Sequence, residues 1–293
     1  MERKKITIPD IRKKKEEGRK ITLLTAYDYP SGRLIDEAGV DIILVGDSLA
    51  MTVLGYESTV PVTMDEMVHH AKAVKRGVEY ALLVGDMPFM TYNIAEKETV
   101  RNAGRFIKEA GCGAVKIEGG LEMIDVVKTL VRAGIPVLGH IGLTPQTATQ
   151  LGGFRVQGRD AKSAQRLIES AIALEKAGCF AVVLECVPDK LAGLITKTLK
   201  IPTIGIGAGP HCDGQALVTN DMIGLFDRFT PKFVKKYADL WPLLSNAFKR
   251  YREEVEGGKF PTEEHSFAMN GAELKKIKVP RGRASAHPAK KER

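Results

Sequence analysis

The hydrophobic pattern of this chain is a short apolar run that recurs and ends each time at an acidic residue. In one such run, Ile-Ile-Leu-Val at 42–45 follows Ala38-Gly39 and is succeeded by Gly46-Asp47-Ser48. A near-continuous apolar run of this length is typical of a strand that is buried on both faces of a parallel sheet. Related runs end at Asp86, Glu118 and Glu185.

Helical segments alternate with these runs, and the alternation predicts an α/β fold, a TIM (β/α)8 barrel. The chain has 293 residues, more than the roughly 250 that such a barrel needs. We therefore predict two extensions: a short amphipathic helix within residues 1–20 that closes the bottom of the barrel, and a long C-terminal helix over 231–256. Residues 1–267 then form one barrel domain that includes both helices, and residues 268–293 form a basic, flexible tail. The eighth strand is expected within 216–220.

In a parallel barrel the carboxyl ends of all strands open onto one mouth, so acidic residues far apart in sequence become neighbours. Two long connections are predicted there. Residues 49–62 precede a helix that begins with a capping-box pattern, Thr63 to Glu66, and residues 142–158 are rich in Gly. Long loops at a barrel mouth often act as lids. The Gly207-Ala208-Gly209 turn suits phosphate binding or close approach of the backbone to a substrate, and the sequence leaves both open.

Charge and cysteine usage narrow the classes of function. Of the net charge of +8, residues 1–20 contribute +5 and residues 271–293 contribute +6, so the remaining body carries −3. A nucleic-acid-binding fold is expected to carry a basic stripe, so nucleic acid is not an expected partner. The four cysteines show no metal-ligand spacing and are interpreted as reduced structural residues. No apolar run approaches the ~20 residues of a membrane span, and no secretion signal follows the charged start. We expect a cytoplasmic protein without a membrane partner.

A set of motifs is distributed along most of the chain. In chain order they are Val45-Gly46-Asp47-Ser48, Leu54-Gly55-Tyr56, the segments 61–66, 84–88, 115–120 and 139–146, Leu184-Glu185, the segment 204–209, and Asp213-Gly214-Gln215. In this order the motifs resemble the ketopantoate hydroxymethyltransferase family, and the similarity extends from about residue 6 to the Glu-Glu-His-Ser-Phe segment at 263–267.

The resemblance implies an activity, a fold and a cofactor. The activity is transfer of a hydroxymethyl group from 5,10-methylenetetrahydrofolate to 3-methyl-2-oxobutanoate, giving 2-dehydropantoate on the route to pantothenate. The implied fold is a TIM barrel of the phosphoenolpyruvate/pyruvate type. The implied metal is Mg²⁺, and the implied assembly is a large homo-oligomer, usually a decamer.

Asp47, Asp86 and Glu118 suit the implied metal, because they are oxygen donors at three consecutive strand ends. Mg²⁺ takes few carboxylates, which leaves places for a chelating oxo acid. A metal on the keto oxygen makes the neighbouring C–H more acidic and stabilises the enolate. Since the substrate would bind to this metal, Asp47 and Asp86 are also assigned to substrate binding. Each acid taken alone could simply cap the next helix, whereas three on one rim favour a site.

The other candidate residues take their roles from the same implied reaction. Glu185 is interpreted as the general base that removes the C3 proton, with a buried ion-paired acid or a fourth metal ligand as alternatives. Lys116 points to the same side of its strand as Glu118 and is interpreted as a fixed cation for the substrate carboxylate or the enolate oxygen, with a Schiff-base nucleophile as the rival role. Ser48 is assigned to the substrate carboxylate, and His140 to the new hydroxymethyl oxygen.

Two other functions stay open from the sequence. Another Mg²⁺-dependent lyase or mutase of the same superfamily would act on a 2-oxo acid or on phosphoenolpyruvate. Such enzymes tend to need a cysteine or an arginine cluster at the mouth, and no strand end clearly supplies one. A nucleic-acid-binding or scaffold protein would instead use the basic tail.

Overall fold

The computed structural model describes residues 3–278, and eight parallel strands within them close into a barrel. Each strand pairs with the next along the chain, and β1 pairs with β8. The predicted TIM barrel is confirmed. The strands are β1 (Ile21–Thr25), β2 (Ile42–Val45), β3 (Leu82–Asp86), β4 (Ala114–Glu118), β5 (Val137–Gly142), β6 (Ala181–Glu185), β7 (Thr203–Ile206) and β8 (Gly214–Leu217).

Along the chain, helices precede, connect and follow the strands. They are α1 (Ile8–Glu16), α2 (Tyr29–Glu37), α3 (Leu49–Thr52), α4 (Met64–Gly77), α5 (Glu96–Lys108), α6 (Ile124–Arg132), α7 (Ala161–Ala177), α8 (Asp189–Thr198), α9 (Thr219–Met222), α10 (Leu240–Glu256) and α11 (Gly271–Leu274). Short 3₁₀ turns lie at Leu121–Met123, Pro145–Thr147 and Glu263–His265. None of the helices within residues 3–278 has both the length and the apolar character needed to cross a membrane.

The chain divides into two compact units, one that ends at Trp241 and one that begins at Pro242. This division does not coincide with the boundary expected after residue 267, and the assignment of domains stays a prediction. Of the expected tail, residues 279–293 lie outside the described residues.

Alternation along each strand explains why the strands are apolar throughout. Ile42 and Leu44 of β2 belong to a core inside the barrel, whereas Ile43 and Val45 belong to the core between the sheet and the surrounding helices. Since successive side chains point to opposite faces of a sheet, both sets must be apolar for both cores to form.

Helix α1 closes the end of the barrel opposite the mouth, as predicted. Its Ile11 is fully buried in the core inside the barrel. Lys14 forms an ion pair with Asp41, just before β2, and Lys15 Nζ lies 2.8 Å from Asp213 Oδ2, just before β8. The carboxyl ends of the strands are therefore the end that stays open.

Two sequence predictions about the C-terminal half are wrong in detail. Strand β8 begins at Gly214, because its register with β1 pairs Ile21 with Gly214. The predicted helix over 231–256 starts only at Leu240. Before it, the backbone N–H groups of Tyr237 and Leu240 donate to carbonyls at the end of α9 rather than to a preceding helical turn, so the chain runs along α9 in a non-helical conformation.

The connection after β2 contains the short helix α3, and only its later part is a loop. The capping box at Thr63 and Glu66 is confirmed by reciprocal hydrogen bonds that begin α4. Arg228 donates to the carbonyls of Gly55 and Tyr56 over 3.0 and 3.2 Å, which links this loop to the segment after α9.

Candidate active site

A cavity of about 610 Å³ opens at the carboxyl ends of the strands. Every residue that the sequence analysis assigned to the site lines it. These residues are Asp47, Ser48, Asp86, Lys116, Glu118, His140 and Glu185.

Asp86 and Lys116 are direct neighbours in the register of β3 and β4. Lys116 Nζ lies 2.8 and 2.9 Å from the two carboxylate oxygens of Asp86, and 3.5 Å from Glu118 Oε1. All three side chains are buried. Burial alone would lower the pKa of Lys116, but Asp86 and Glu118 outweigh it and raise that pKa. Lys116 is therefore a fixed ammonium ion.

Asp47 carries the least compensated charge of the cluster. Its backbone N–H donates to Asp86 Oδ2 over 3.1 Å, and its side chain accepts from Gln146 Nε2 over 2.9 Å. Burial, followed by repulsion from Asp86 and Glu118, raises the pKa of Asp47 well above its ordinary value. Burial also raises the pKa of Asp86, although Lys116 opposes this shift.

His140 stands between two carboxylates. Its Nδ1 lies 3.3 Å from Glu118 Oε1 and its Nε2 lies 3.2 Å from Glu185 Oε2. Neither contact has the alignment of a hydrogen bond, so we attribute the effect to charge. Burial and Lys116 lower the pKa of His140, but the two carboxylates outweigh them and raise it to about 9. In return, Lys116 and His140 outweigh burial and lower the pKa of Glu118.

Ser48, which follows β2, is hydrogen-bonded to a residue that follows β1. The hydroxyl groups of Ser48 and Tyr27 are 2.9 Å apart, and Tyr27, which follows β1, is buried. Ser48 also begins α3, so its backbone position is fixed by that turn. Its hydroxyl group faces the cavity with a defined partner.

Gln146 and Tyr92 support the cluster, and the sequence analysis missed both. Gln146 donates from Nε2 to Asp47 and to the Met87 carbonyl, and from its backbone N–H to Glu118 Oε2 over 3.0 Å. Its Oε1 accepts from the Tyr92 hydroxyl group over 2.7 Å. Gln146 lies in one of the motifs of the family resemblance, and that position was the available signal.

Two further residues at the mouth were also missed. Asp221, in α9, lines the cavity and is 9% exposed. Cys186 follows Glu185 directly and lines the cavity too, so a strand end does supply a cysteine, contrary to the expectation from sequence. Burial and the charge of Glu185 raise the pKa of Cys186 to about 12. The thiol is thus protonated at neutral pH and is a poor nucleophile.

The fold and the site together define a TIM-barrel enzyme whose polar groups gather at the carboxyl ends of the strands. Solved structures share this fold. A phosphonopyruvate hydrolase is 13% identical, with a TM-score of 0.59 over 92% of this chain and 93% of its own. A 2,3-dimethylmalate lyase of the PEP mutase/isocitrate lyase superfamily is 15% identical, with a TM-score of 0.56 over 88% of this chain and 92% of its own.

The chain belongs to the ketopantoate hydroxymethyltransferase family, whose model matches residues 5–263. It is similar to the 3-methyl-2-oxobutanoate hydroxymethyltransferase of Moorella thermoacetica, with 59% identity over 91% of this chain and 99% of the relative. The enzyme of that name from Syntrophomonas wolfei is 56% identical over 93% of this chain and 99% of the relative. The resemblance found in the sequence is confirmed, and with it the class of activity, hydroxymethyl transfer.

Proposed function

We propose that the protein transfers a hydroxymethyl group from 5,10-methylenetetrahydrofolate to 3-methyl-2-oxobutanoate and so forms 2-dehydropantoate. The observation that carries this mechanism is the buried cluster of Asp47, Asp86, Glu118 and Lys116, which lies one histidine away from a further carboxylate, Glu185. Such a cluster suits a reaction in which a 2-oxo acid loses a C3 proton and the resulting carbanion attacks a one-carbon unit.

The donor set fits a divalent cation. Asp47, Asp86, Glu118 and Glu185, if ionised, outnumber the cations Lys116 and His140 by two charges. Burial, and after it repulsion from Asp86 and Glu118, raises the pKa of Asp47, and a bound cation would relieve that repulsion. Among residues 3–278, no three acidic, histidine or cysteine side chains already converge as a metal cluster, but Mg²⁺ keeps several waters, through which carboxylates can also hold it. Asp47, Asp86 and Glu118 would hold it. When bound, the ion would act as a Lewis acid toward the keto oxygen.

Glu185 is the base in this proposal. Its Oε2 lies 3.2 Å from His140 Nε2, and its side chain is 16% exposed, so it is oriented by the protein and still reaches the cavity. Glu185 takes the C3 proton of the oxo acid and leaves an electron pair on C3. Water adds to the one-carbon unit and both of its C–N bonds break, so N5 and N10 keep the bonding electrons and take the two protons of water, and tetrahydrofolate leaves. The electron pair on C3 then attacks the released carbon, which is at the oxidation level of formaldehyde. The new oxygen takes a proton from His140, and Glu185, 3.2 Å from His140 Nε2, returns the C3 proton to that histidine.

Lys116 acts as a fixed cation in the proposed reaction. A Schiff-base lysine needs a neutral amine, whereas the pKa of Lys116 is raised by two buried carboxylates. Its ammonium group instead stabilises negative charge on the substrate. Ser48, held by Tyr27, is assigned to the substrate carboxylate.

The competing lyase or mutase has less support. The thiol of Cys186 is held protonated by burial and by Glu185, which does not suit a cysteine that must transfer protons or attack. We extend the proposal to a cytoplasmic, homo-oligomeric enzyme, a decamer by the family resemblance, with small molecules as its partners and with neither nucleic acid nor membrane. The role of the basic tail stays a prediction.

A coupled assay for 2-dehydropantoate tests the proposal. Full-length protein with both substrates and Mg²⁺ should form product, EDTA should abolish the reaction, and added Mg²⁺ should restore it. Product formation that survives EDTA would contradict the metal assignment. Absence of product with Mg²⁺ present would contradict the proposed function.

A further inference from the structure

The cavity is larger than an oxo acid requires. Its volume of about 610 Å³ lies within the roughly 300–1,000 Å³ that is usual for pockets of larger ligands. The charged cluster occupies the ends of β2 to β6, whereas the part beyond β8 is lined by phenylalanine rings. Those rings belong to Phe226, Phe229 and Phe233, and Phe154, from the connection after β5, lines the same cavity.

Asp221 is the acidic residue of that apolar part. It is 9% exposed, and no hydrogen-bond donor within residues 3–278 engages its carboxylate. The charge of Lys236 acts on it, but the ammonium group of Lys236 lies 4.0 Å from Asp239 instead. Its oxygens are not among the fully enclosed polar atoms and instead face the open cavity. A ligand that enters the cavity can therefore supply the hydrogen-bond donors that this carboxylate lacks within the protein.

We propose that Asp221 binds the amino-pyrimidine edge of the pterin ring of the folate co-substrate. This edge presents an N–H and an exocyclic NH₂ group side by side, and a carboxylate accepts two parallel hydrogen bonds from such a pair. The phenylalanine rings supply apolar faces on which the flat ring system packs. The inference rests on the proposed function, because the folate is the co-substrate assigned there.

The outer part of the cavity suits the rest of such a molecule. Arg155 and Lys232 line the same cavity and are exposed, so cations lie toward solvent and Asp221 lies toward the interior. A folate has the matching polarity, with hydrogen-bond donors on its ring and carboxylates on its glutamate tail.

The test compares Asp221→Asn with Asp227→Asn, an exposed neighbour that does not line the cavity. The amide of Asp221→Asn keeps the shape but cannot accept two hydrogen bonds from adjacent donors. We expect the KM for methylenetetrahydrofolate and the Kd for tetrahydrofolate, titrated into the Mg²⁺-loaded enzyme, to rise roughly 10- to 100-fold. The KM for the oxo acid should change by less than about 2-fold. Asp227→Asn should behave as wild type.

A ligand analogue provides the second arm. A 2-desamino-2-methyl tetrahydrofolate lacks one of the two donors, so wild-type enzyme should bind it roughly 10- to 100-fold more weakly than tetrahydrofolate. The Asp221→Asn variant should discriminate much less between the two. Equal loss of affinity for both folate and oxo acid in Asp221→Asn would indicate a structural role and overturn the inference.

Folate turnover by the wild-type enzyme separates the role of Asp221 from the proposed function. Wild-type enzyme that turns over the folate, together with unchanged folate constants in Asp221→Asn, would overturn the inference alone. Wild-type enzyme that neither binds tetrahydrofolate nor uses the methylene derivative would overturn both.

Discussion

Lys116 Nζ contacts both carboxylate oxygens of Asp86, at 2.8 and 2.9 Å, across the register of two adjacent strands. This ion pair joins a proposed metal ligand to the cation that we propose stabilises negative charge on the substrate. Neither side chain is exposed to water. Against burial, Asp86 raises the pKa of Lys116, and Lys116 opposes the rise that burial causes in the pKa of Asp86. Changes to either residue should alter metal binding and catalysis together.

Asp86→Asn should abolish turnover, because the amide removes one negative charge and one anionic ligand. We expect its affinity for Mg²⁺ to fall by more than the roughly 10- to 100-fold that loss of a ligand's supporting partner costs. Calorimetric titration with Mg²⁺ or Mn²⁺ measures this loss. The control is Asp125→Asn, at an exposed side chain on α6. Full activity of Asp86→Asn at subsaturating Mg²⁺ would show that Asp86 is not a ligand.

Glu185→Gln should slow the exchange of the C3 hydrogen of 3-methyl-2-oxobutanoate with deuterium from solvent. This step needs no folate, so it isolates proton removal, and loss of a general base costs about 10²–10⁴-fold. NMR of the substrate with the Mg²⁺-loaded enzyme measures the rate. Exposed Glu169→Gln on α7 is the control. If exchange continues at the wild-type rate in Glu185→Gln, the base lies elsewhere, with His140 the next candidate.

Lys116→Ala should slow the same exchange, because the ammonium group stabilises negative charge on the substrate. In this proposal Lys116 forms no covalent bond to the substrate. Borohydride treatment of the wild-type enzyme with the oxo acid should trap no adduct, as mass spectrometry of the peptide around residue 116 would show. A reduced adduct on Lys116 would establish the Schiff-base route instead.

Gln146→Leu should weaken metal binding although Gln146 is not a proposed ligand. The substitution removes the donor to Asp47 and the nearer acceptor of the buried Tyr92 hydroxyl group, which keeps only the longer contact of 3.3 Å to the Glu118 carbonyl. We expect Mg²⁺ affinity to fall by roughly 10- to 100-fold and the free energy of unfolding to fall by about 1–3 kcal/mol. Gln150→Leu, at an exposed site in the same connection, should change neither. Unchanged Mg²⁺ affinity in Gln146→Leu would assign Gln146 to packing only.

Asp221→Asn should stabilise the free enzyme at neutral pH. Burial raises the pKa of Asp221 to about 6 from 3.8, against the opposing charge of Lys236, so the folded state binds a proton more tightly than the unfolded state does. The ionised carboxylate therefore costs stability above pH ~6, and this cost fades as the pH falls toward ~4. We expect a gain of about 1–3 kcal/mol at pH 7 and about half of that at pH 5. Urea unfolding across this pH range measures it, and a pH-independent difference would contradict the shift.

The loop that follows α3 should act as a lid over the cavity. A Glu-specific protease should cut after the exposed Glu57 in the free enzyme, and the oxo acid with Mg²⁺ should protect it. Arg228→Ala removes the hydrogen bonds to Gly55 and Tyr56 and should speed cleavage of the free enzyme. Equal rates with and without ligands would count against a lid. Cleavage after Glu264, outside this loop, should not respond to the ligands.

The sequence predicts the barrel well because both faces of each strand must be apolar and the glycines and caps mark the helix ends. The same pattern places Asp47, Asp86, Glu118 and Glu185, since the carboxyl ends of parallel strands share one rim. The hydrophobic pattern does not predict contacts that depend on the conformation of loops. Gln146 reaches Asp47 only through the conformation of a 3₁₀ turn, and Asp221 becomes buried only because later residues fold back along α9.

The segment over 231–239 shows why a helical pattern can mislead. Its apolar residues are spaced as in a helix, yet the N–H of Tyr237 donates to the carbonyl of Met222, and the ring of Phe233 lies against Gly207. At Gly207, where φ is +65°, a Cβ would collide with that ring. Tertiary contacts thus take the place of helical hydrogen bonds there. The helix propensity of the local sequence does not predict such contacts.

The ion pair between Lys15 and Asp213 joins residues 198 positions apart, and it has a consequence for synthesis. Ribosomes add roughly 5–20 residues per second, so Lys15 emerges some 10–40 s before its partner exists, on the same estimate. During that time β1 lacks β8, Ile11 has only part of its cover, and the nascent sheet exposes two unpaired edges. Translation that stops before residue 213 leaves those edges open permanently, and unpaired edges invite aggregation. The pairing of β1 with β8 thereby makes closure of the barrel depend on synthesis through the last strand.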